Sequence, residues 1–218
     1  MDLIPLLSFF LLKGKCRFCD KSISWQYPAV EFLTGTLFLL FFVLRLPELN
    51  SFVDFAQAGY FVFIISLFVL ILVYDLKHLL IPDEAIEAGL MVSGLWYLTA
   101  FLLGAQSLQE LAGYIFSSLG ASAFLLTLFL VTKGKGMGFG DVKFALLMGL
   151  FLGYPKIIAG LFLSFLIGAI IGLVMILLQK KGMKSEIPFA PFLVAGSFVA
   201  FFWGEAILQE YYMLFSFF

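Results

Sequence analysis

Residues 64–75 read Ile64-Ile65-Ser66-Leu67-Phe68-Val69-Leu70-Ile71-Leu72-Val73-Tyr74-Asp75, an apolar run closed by a carboxylate. It completes an apolar stretch over about 56–74, close to the roughly 20 residues a helix needs to cross hydrocarbon. Further apolar stretches fall at roughly 29–46, 85–104, 111–131, 141–153, 157–178 and 188–207. The fifth in chain order, 141–153, is short and Gly-flanked, so its ends are the least defined. Because the apolar residues run unbroken rather than alternate, a membrane β-barrel is excluded. The pattern predicts an all-α polytopic membrane protein with about seven transmembrane helices.

Composition agrees. Of the 218 residues 63% are hydrophobic and 12% charged, and Phe alone contributes 29; the mean hydropathy is +1.10. A soluble domain carries about 25% charged residues, so this chain has too few to cover a water-facing surface. Disordered, collagenous and disulfide-rich classes are excluded. A net charge of −1 gives no footprint for nucleic-acid binding.

Residues 3–12 are apolar but too short to span and contain Pro5, and Lys13, Lys15 and Arg17 follow at once. The order is wrong for a signal peptide, so this is an interfacial segment. Basic residues in short loops face the cytoplasm. Lys13, Lys15, Arg17 and Lys21 precede the first span. Lys77, then Lys133, Lys135 and Lys143, then Lys180, Lys181 and Lys184 fall in loops on the same side; only Arg45 and Lys156 fall opposite. The N-terminus is therefore expected in the cytoplasm and the tail, with Tyr211 and Tyr212, along the outer interface. The chain divides into a cytoplasmic or interfacial lead-in over 1–28 and a membrane domain over 29–218.

Carboxylates near a bilayer are expensive and suggest function. Asp75 ends one apolar run, and Asp141 sits in Gly138-Phe139-Gly140-Asp141-Val142-Lys143 at the start of another. Two crossings lie between them, so both belong at the cytoplasmic membrane surface. Two carboxylates held close tend to share one proton. The ionised one can take a proton from water while the other donates to a peptide carbonyl oxygen, without metal or acyl-enzyme. Gly138 and Gly140 leave room for another backbone, such as a substrate strand. The structural alternative stays open, since an Asp at a helix end also serves as a cap or an interfacial charge. Asp83, behind Pro82, competes with Asp75, but a helix start is expected there, with Asp83 in its first turn. His78 is the only histidine, which argues against a His-based metal site or a Ser-His-Asp triad. Cys16 and Cys19 form a CxxC between basic residues, half of a zinc ribbon. Structural zinc wants four ligands, so the pair is a relic, a site completed by a partner, or a plain reduced pair.

Taken in order, these residues resemble the type IV prepilin peptidase family, membrane aspartyl proteases of the GxGD class. The resemblance runs through Ile4-Pro5-Leu6-Leu7-Ser8, Lys13 to Cys19, Ile23-Ser24, Tyr27 to Glu31, Asp75 with Leu80-Ile81-Pro82-Asp83, Gly138 to Lys143, and Ile187-Pro188-Phe189-Ala190-Pro191-Phe192. It implies Asp75 and Asp141 as the catalytic pair, with Gly138, Gly140, Lys143, Pro82 and Asp83 binding substrate or supporting the site. It implies a pilin or pseudopilin precursor as substrate, cut after its basic leader at the cytoplasmic face of the inner membrane, with type IV pili or type II secretion as the setting and no cofactor for proteolysis. Many members then N-methylate the new N-terminus with S-adenosylmethionine, an activity of the cytoplasmic loop. Longer members carry another helix and a second CxxC before this point. On that comparison the chain is expected to be a fragment, a mis-started frame or a naturally short member, with zinc and methyl transfer dependent on the missing part. Lys143 either sets the protonation of the pair, meets an acidic substrate residue, or is a snorkelling lysine. A presenilin- or signal-peptide-peptidase-like intramembrane protease and a small proton- or cation-coupled carrier are the alternative functions.

Overall fold

The structure, a computed structural model, describes residues 6–45, 49–178 and 188–216, without the side chains of 211, 212 and 214–216. Leu3, Ile4, Pro5, Lys180, Lys181, Lys184 and Ile187, and the side chains of Tyr211 and Tyr212, lie outside the described residues. Two compact units divide the chain, Met1–Leu46 and Pro47–Phe218. The membrane helix that begins at residue 26 therefore groups with the lead-in segment rather than with the helices that follow it.

The first unit contains α1 (Leu7–Leu11), a tight loop, and α2 (Gln26–Leu44). A five-residue helix cannot stand on its own propensity, and here it is tied down at both ends. Glu31 of α2 accepts the Leu6 N–H at 2.9 Å, which gives that glutamate a structural partner. Beyond α1 the chain turns back through Gly14, at φ +70°, whose N–H reaches Phe9 O at 2.9 Å. Phe9 is buried and its ring meets Trp25 edge-on at 4.8 Å. The loop then closes through an isolated antiparallel bridge, Lys15 to Ser22, with the CxxC at its tip.

The second unit contains α3 (Phe52–His78), α4 (Asp83–Leu102), α5 (Leu108–Thr132), α6 (Phe139–Leu152), α7 (Lys156–Leu177) and α8 (Ala190–Ser216). No strand occurs among the described residues. Ser51 with Asp54, and Ser107 with Glu110, form reciprocal caps that start α3 and α5. The expected start at Pro82 is met, with Pro82 as N-cap and Asp83 as the first residue of α4. The C-terminal tail continues α8 as helix to Ser216.

Among the described residues six helices are long and apolar enough to cross a membrane: α2, α3, α4, α5, α7 and, through Ala190–Glu210, α8. The fifth predicted span is different. α6 has 14 residues, a rise of about 21 Å, short of a hydrocarbon core about 30 Å thick. It lies instead among α4, α5, α7 and α8. Hydropathy alone cannot separate a short helix buried in protein from a span, which is why seven apolar runs yield six spans. Large side chains such as Phe162 and Leu173 are exposed on the outer helices, as expected where the solvent is lipid.

α6 is held by polar bonds as well as by packing. Ser122 and Ser118 of α5 donate to the carbonyls of Val142 and Leu146 at 3.1 and 2.7 Å. The Tyr97 hydroxyl of α4 donates to Leu150 O. These carbonyls are spaced four apart and so share one face of α6. Between them Gly149 lies against the backbone of Ser117 and Ser118; a Cβ there would be 2.6 Å from Ser117 O. Small residues at such crossings let helix backbones approach in lipid. Elsewhere on α6, Phe144 and Phe151 meet Phe68 of α3 at 4.8 and 5.1 Å, and Phe151 stacks on Phe201 of α8 at 4.7 Å.

Substituting Gly149→Ala should lower stability by about 1–3 kcal/mol, because overpacking has no flexible side chain to displace. Gly94→Ala, with nothing within 4 Å of its Cβ, should leave stability unchanged or slightly raised. Thermal unfolding of the detergent-solubilised protein reads both.

Candidate active site

Asp75 lies in the last turn of α3, and Asp141 in the first turn of α6. Each is 5% exposed, and they are close enough to interact electrostatically. Both predicted catalytic carboxylates are thus in one buried place, brought there from residues 66 apart in the chain by the α3–α4 and α5–α6 turns.

The two are held differently. Asp141 is the third residue of α6 and accepts the Gly138 N–H at 3.0 Å, so it caps its own helix while remaining buried. Gly138, extended at φ −78° and ψ 156°, gives the bend that lets this happen. Asp75 lies near the N–H of Ala190, the first residue of α8. Its Oδ2 is buried and has no hydrogen-bond partner among the described residues. Leaving a buried carboxyl oxygen unsatisfied costs roughly 1–3 kcal/mol. A group kept at that cost fits chemistry better than packing.

The α3–α4 connection borders the pair. Leu79, left-handed at φ 55° and ψ 34°, returns its N–H to Asp75 O at 2.9 Å and ends α3. The side chain of Ile81 then fills the space beside Gly140; a Cβ on that glycine would meet Ile81 Cβ at 3.2 Å. The Cβ side of Gly140 thus faces a segment of this chain. Asp83, 58% exposed at its side chain, is ion-paired with Lys143 at 2.7 Å. Asp83 is therefore the exposed, paired carboxylate and Asp75 the buried one. The Lys143 ammonium also lies 5.5 Å from the centre of the Phe139 ring.

Ala190 is the contact that sequence reasoning missed. Pro188 and Pro191 around it signal a helix start, but nothing in one sequence says which carboxylate that start approaches. The hydroxyls of Ser118, Ser122 and Tyr97 were likewise silent, since Ser and Tyr in an apolar run read as tolerated polar groups.

In the first unit, the backbone N–H groups of Phe18 and Cys19, then the Cys19 side chain, point at the Cys16 sulfur and hold its thiol below the usual range. The two thiols are free. Among the described residues no group of three or more His, Cys, Asp or Glu could hold a metal ion. Two thiolates supply half of a tetrahedral zinc site, so the described residues do not complete one.

Comparison with known proteins gives a consistent result. A family profile described as "Bacterial Peptidase A24 N-terminal domain" matches residues 1–45, nearly the extent of the first compact unit. A second, described as "Type IV leader peptidase family", matches residues 61–173, which contain Asp75, Asp83, Asp141 and Lys143. A protein of Bacillus subtilis named prepilin leader peptidase/N-methyltransferase is 34% identical over 213 residues, covering 96% of this chain and 79% of the relative. Proteins of the same name from Aeromonas salmonicida and Pseudomonas aeruginosa are 34% and 30% identical, covering 97% and 95% of this chain and 69% of each relative. No solved structure matches the chain. A match of this extent, over a fold that gathers the motif carboxylates in one buried site, places the chain in the type IV leader peptidase family.

Proposed function

We propose that the chain is a membrane aspartyl endopeptidase that removes the basic leader of type IV prepilins or pseudopilins, with Asp75 and Asp141 activating water. The observation that carries this is the burial of both carboxylates in one place, with Asp75 Oδ2 left unpartnered. Family membership and the names of the relatives support the substrate.

The chemistry follows from the pair. With one proton shared between them, the ionised carboxylate removes a proton from water as its oxygen attacks the scissile carbonyl carbon. The protonated carboxyl donates to the carbonyl oxygen, so a neutral tetrahedral diol forms rather than a free oxyanion. Collapse returns the hydroxyl proton to one carboxylate while the other protonates the leaving amine. The bond broken is the peptide bond, and the dyad regains its starting protonation. Both carboxylates lie at helix ends rather than mid-helix. That favours a cut at the membrane edge over the presenilin-like alternative, and disfavours a carrier, whose ion sites lie near the midplane.

The first unit supports a finer reading. Phe9, Phe10, Lys13, Gly14 and residues 22–25 line a cavity of about 520 Å³. Aromatic rings, serine hydroxyls and one ammonium suit the adenine, ribose and carboxylate of S-adenosylmethionine, the donor that N-methylation would use. The division of labour is then a lead-in unit for methyl transfer and a six-helix unit for proteolysis, with the lead-in loop in the cytoplasm and the protein in the inner membrane.

Asp75→Asn and Asp141→Asn should each lower cleavage of a full-length prepilin by at least about 10³-fold with the protein still folded. Sequencing the product N-terminus should place the cut after the basic leader. Retained cleavage in either variant removes that residue from the dyad. Labelling tests the orientation: Cys16 and Cys19 should react with a membrane-impermeant maleimide from the cytoplasmic side alone. Because the Cys16 thiol is held low, its labelling in Cys19→Ser should persist to a lower pH than that of a free cysteine. Equilibrium binding of labelled S-adenosylmethionine should be lost in Trp25→Ala.

A further inference from the structure

Asp75 and Asp141 come from different helices, and a two-carboxylate mechanism works only at one separation. Something must fix the first turn of α6 against the end of α3. The structure offers a short path between them, the connection from Leu79 to Asp83. This segment leaves α3 four residues after Asp75 and touches α6 on both sides of Asp141. Before it, at Gly140, the Ile81 side chain packs against the glycine. After it, at Lys143, the ammonium donates to both oxygens of Asp83 at 2.7 and 2.8 Å.

The ion pair is a poor candidate for a stabiliser. The two side chains are 34% and 58% exposed, and pairs of that kind contribute little to folding. What the pair does supply is direction. Lys143 also lies over Phe139, so its stem is fixed along the first turn of α6. Asp83 is fixed by Pro82 at the start of α4, whose backbone is extended at φ −67° and ψ 128°. A two-toothed contact between two helix starts ties the first turn of α6, which carries Asp141, to the start of α4.

We infer that Asp83 and Lys143 are positioning residues: their ion pair, with the Ile81–Gly140 contact, sets the separation of the catalytic carboxylates. This inference rests on the two-Asp reading of the site. Displacing a reacting group by about 1 Å can cost on the order of 10²-fold in rate, so an exposed pair that matters little for stability can matter greatly for turnover.

A double-mutant cycle on prepilin cleavage tests it, using the full chain in liposomes. Asp83→Asn and Lys143→Met should each lower kcat by roughly tenfold or more, with KM and thermal unfolding unchanged. The double variant should lose no more than the worse single, because one interaction is removed in each. Lys143→Arg, which keeps the charge and the two-toothed geometry, should stay near wild type. Losses that multiply in the double variant would overturn the inference, as would unchanged kcat in Asp83→Asn. A rise in KM confined to the Lys143 variants would instead assign Lys143 to an acidic substrate group. Asp141→Asn is run alongside. If it still cleaves, the dyad reading itself fails; if it is silent while the cycle is additive, the positioning role alone fails.

Discussion

Nothing in a bilayer core can satisfy a stray peptide carbonyl, so a helix placed there must find its partners within the protein. α6 is too short to reach both interfaces and lies among α4, α5, α7 and α8. Tyr97 donates to Leu150 O, among the last four carbonyls that lack an intrahelical partner, and Ser122 and Ser118 add second bonds on the same face, at Val142 and Leu146. Gly149 lets α5 come close enough for two of those bonds to form. Along its length α6 is thus held by directional bonds as well as by the packing of Phe144 and Phe151. Asp141 is carried on the first turn of this fixed element.

Fixing α6 has consequences at its N-terminal end. Phe144, one turn past Asp141, packs on Phe68 of α3, which brings the end of α3 and Asp75 alongside. The start of α8, at Ala190, lies near Asp75. Three helix ends therefore stand at the two carboxylates: the C-terminus of α3, which carries Asp75, the N-terminus of α6, which carries Asp141, and the start of α8. Helix starts carry partial positive charge, so two of the three favour buried negative charge there. The carboxylates are buried by protein yet stand at the ends of helices rather than mid-helix.

Much of this was legible in the sequence. Seven apolar runs match α2 to α8, with boundaries within a few residues of those observed except at the tail, where α8 continues to Ser216. Counting crossings between Asp75 and Asp141 put both at one end of the helices without knowing any packing. Pro82 marked the start of α4. What could not be read was partner identity. Lys143 and Asp83 are 60 residues apart, and each alone reads as an interfacial charge. The packing of Ile81 beside Gly140 was equally silent, because one sequence shows where room exists but not what enters it. The short α6 passed for a span, since hydropathy measures whether a helix avoids water and not whether lipid or protein surrounds it.

The central claim is that Asp75 and Asp141 face each other in one site in the folded membrane protein. Disulfide trapping tests it without assuming any substrate. Asp75→Cys and Asp141→Cys are combined in a chain with Cys16→Ser and Cys19→Ser, and a protease site is inserted between α4 and α5, in 103–107. Mild oxidation in native membranes, followed by cutting at that site, should leave the two fragments joined until a reductant is added. Neither single-cysteine control should give joined fragments. Fragments that separate under oxidation, with both thiols still open to alkylation, would contradict the account.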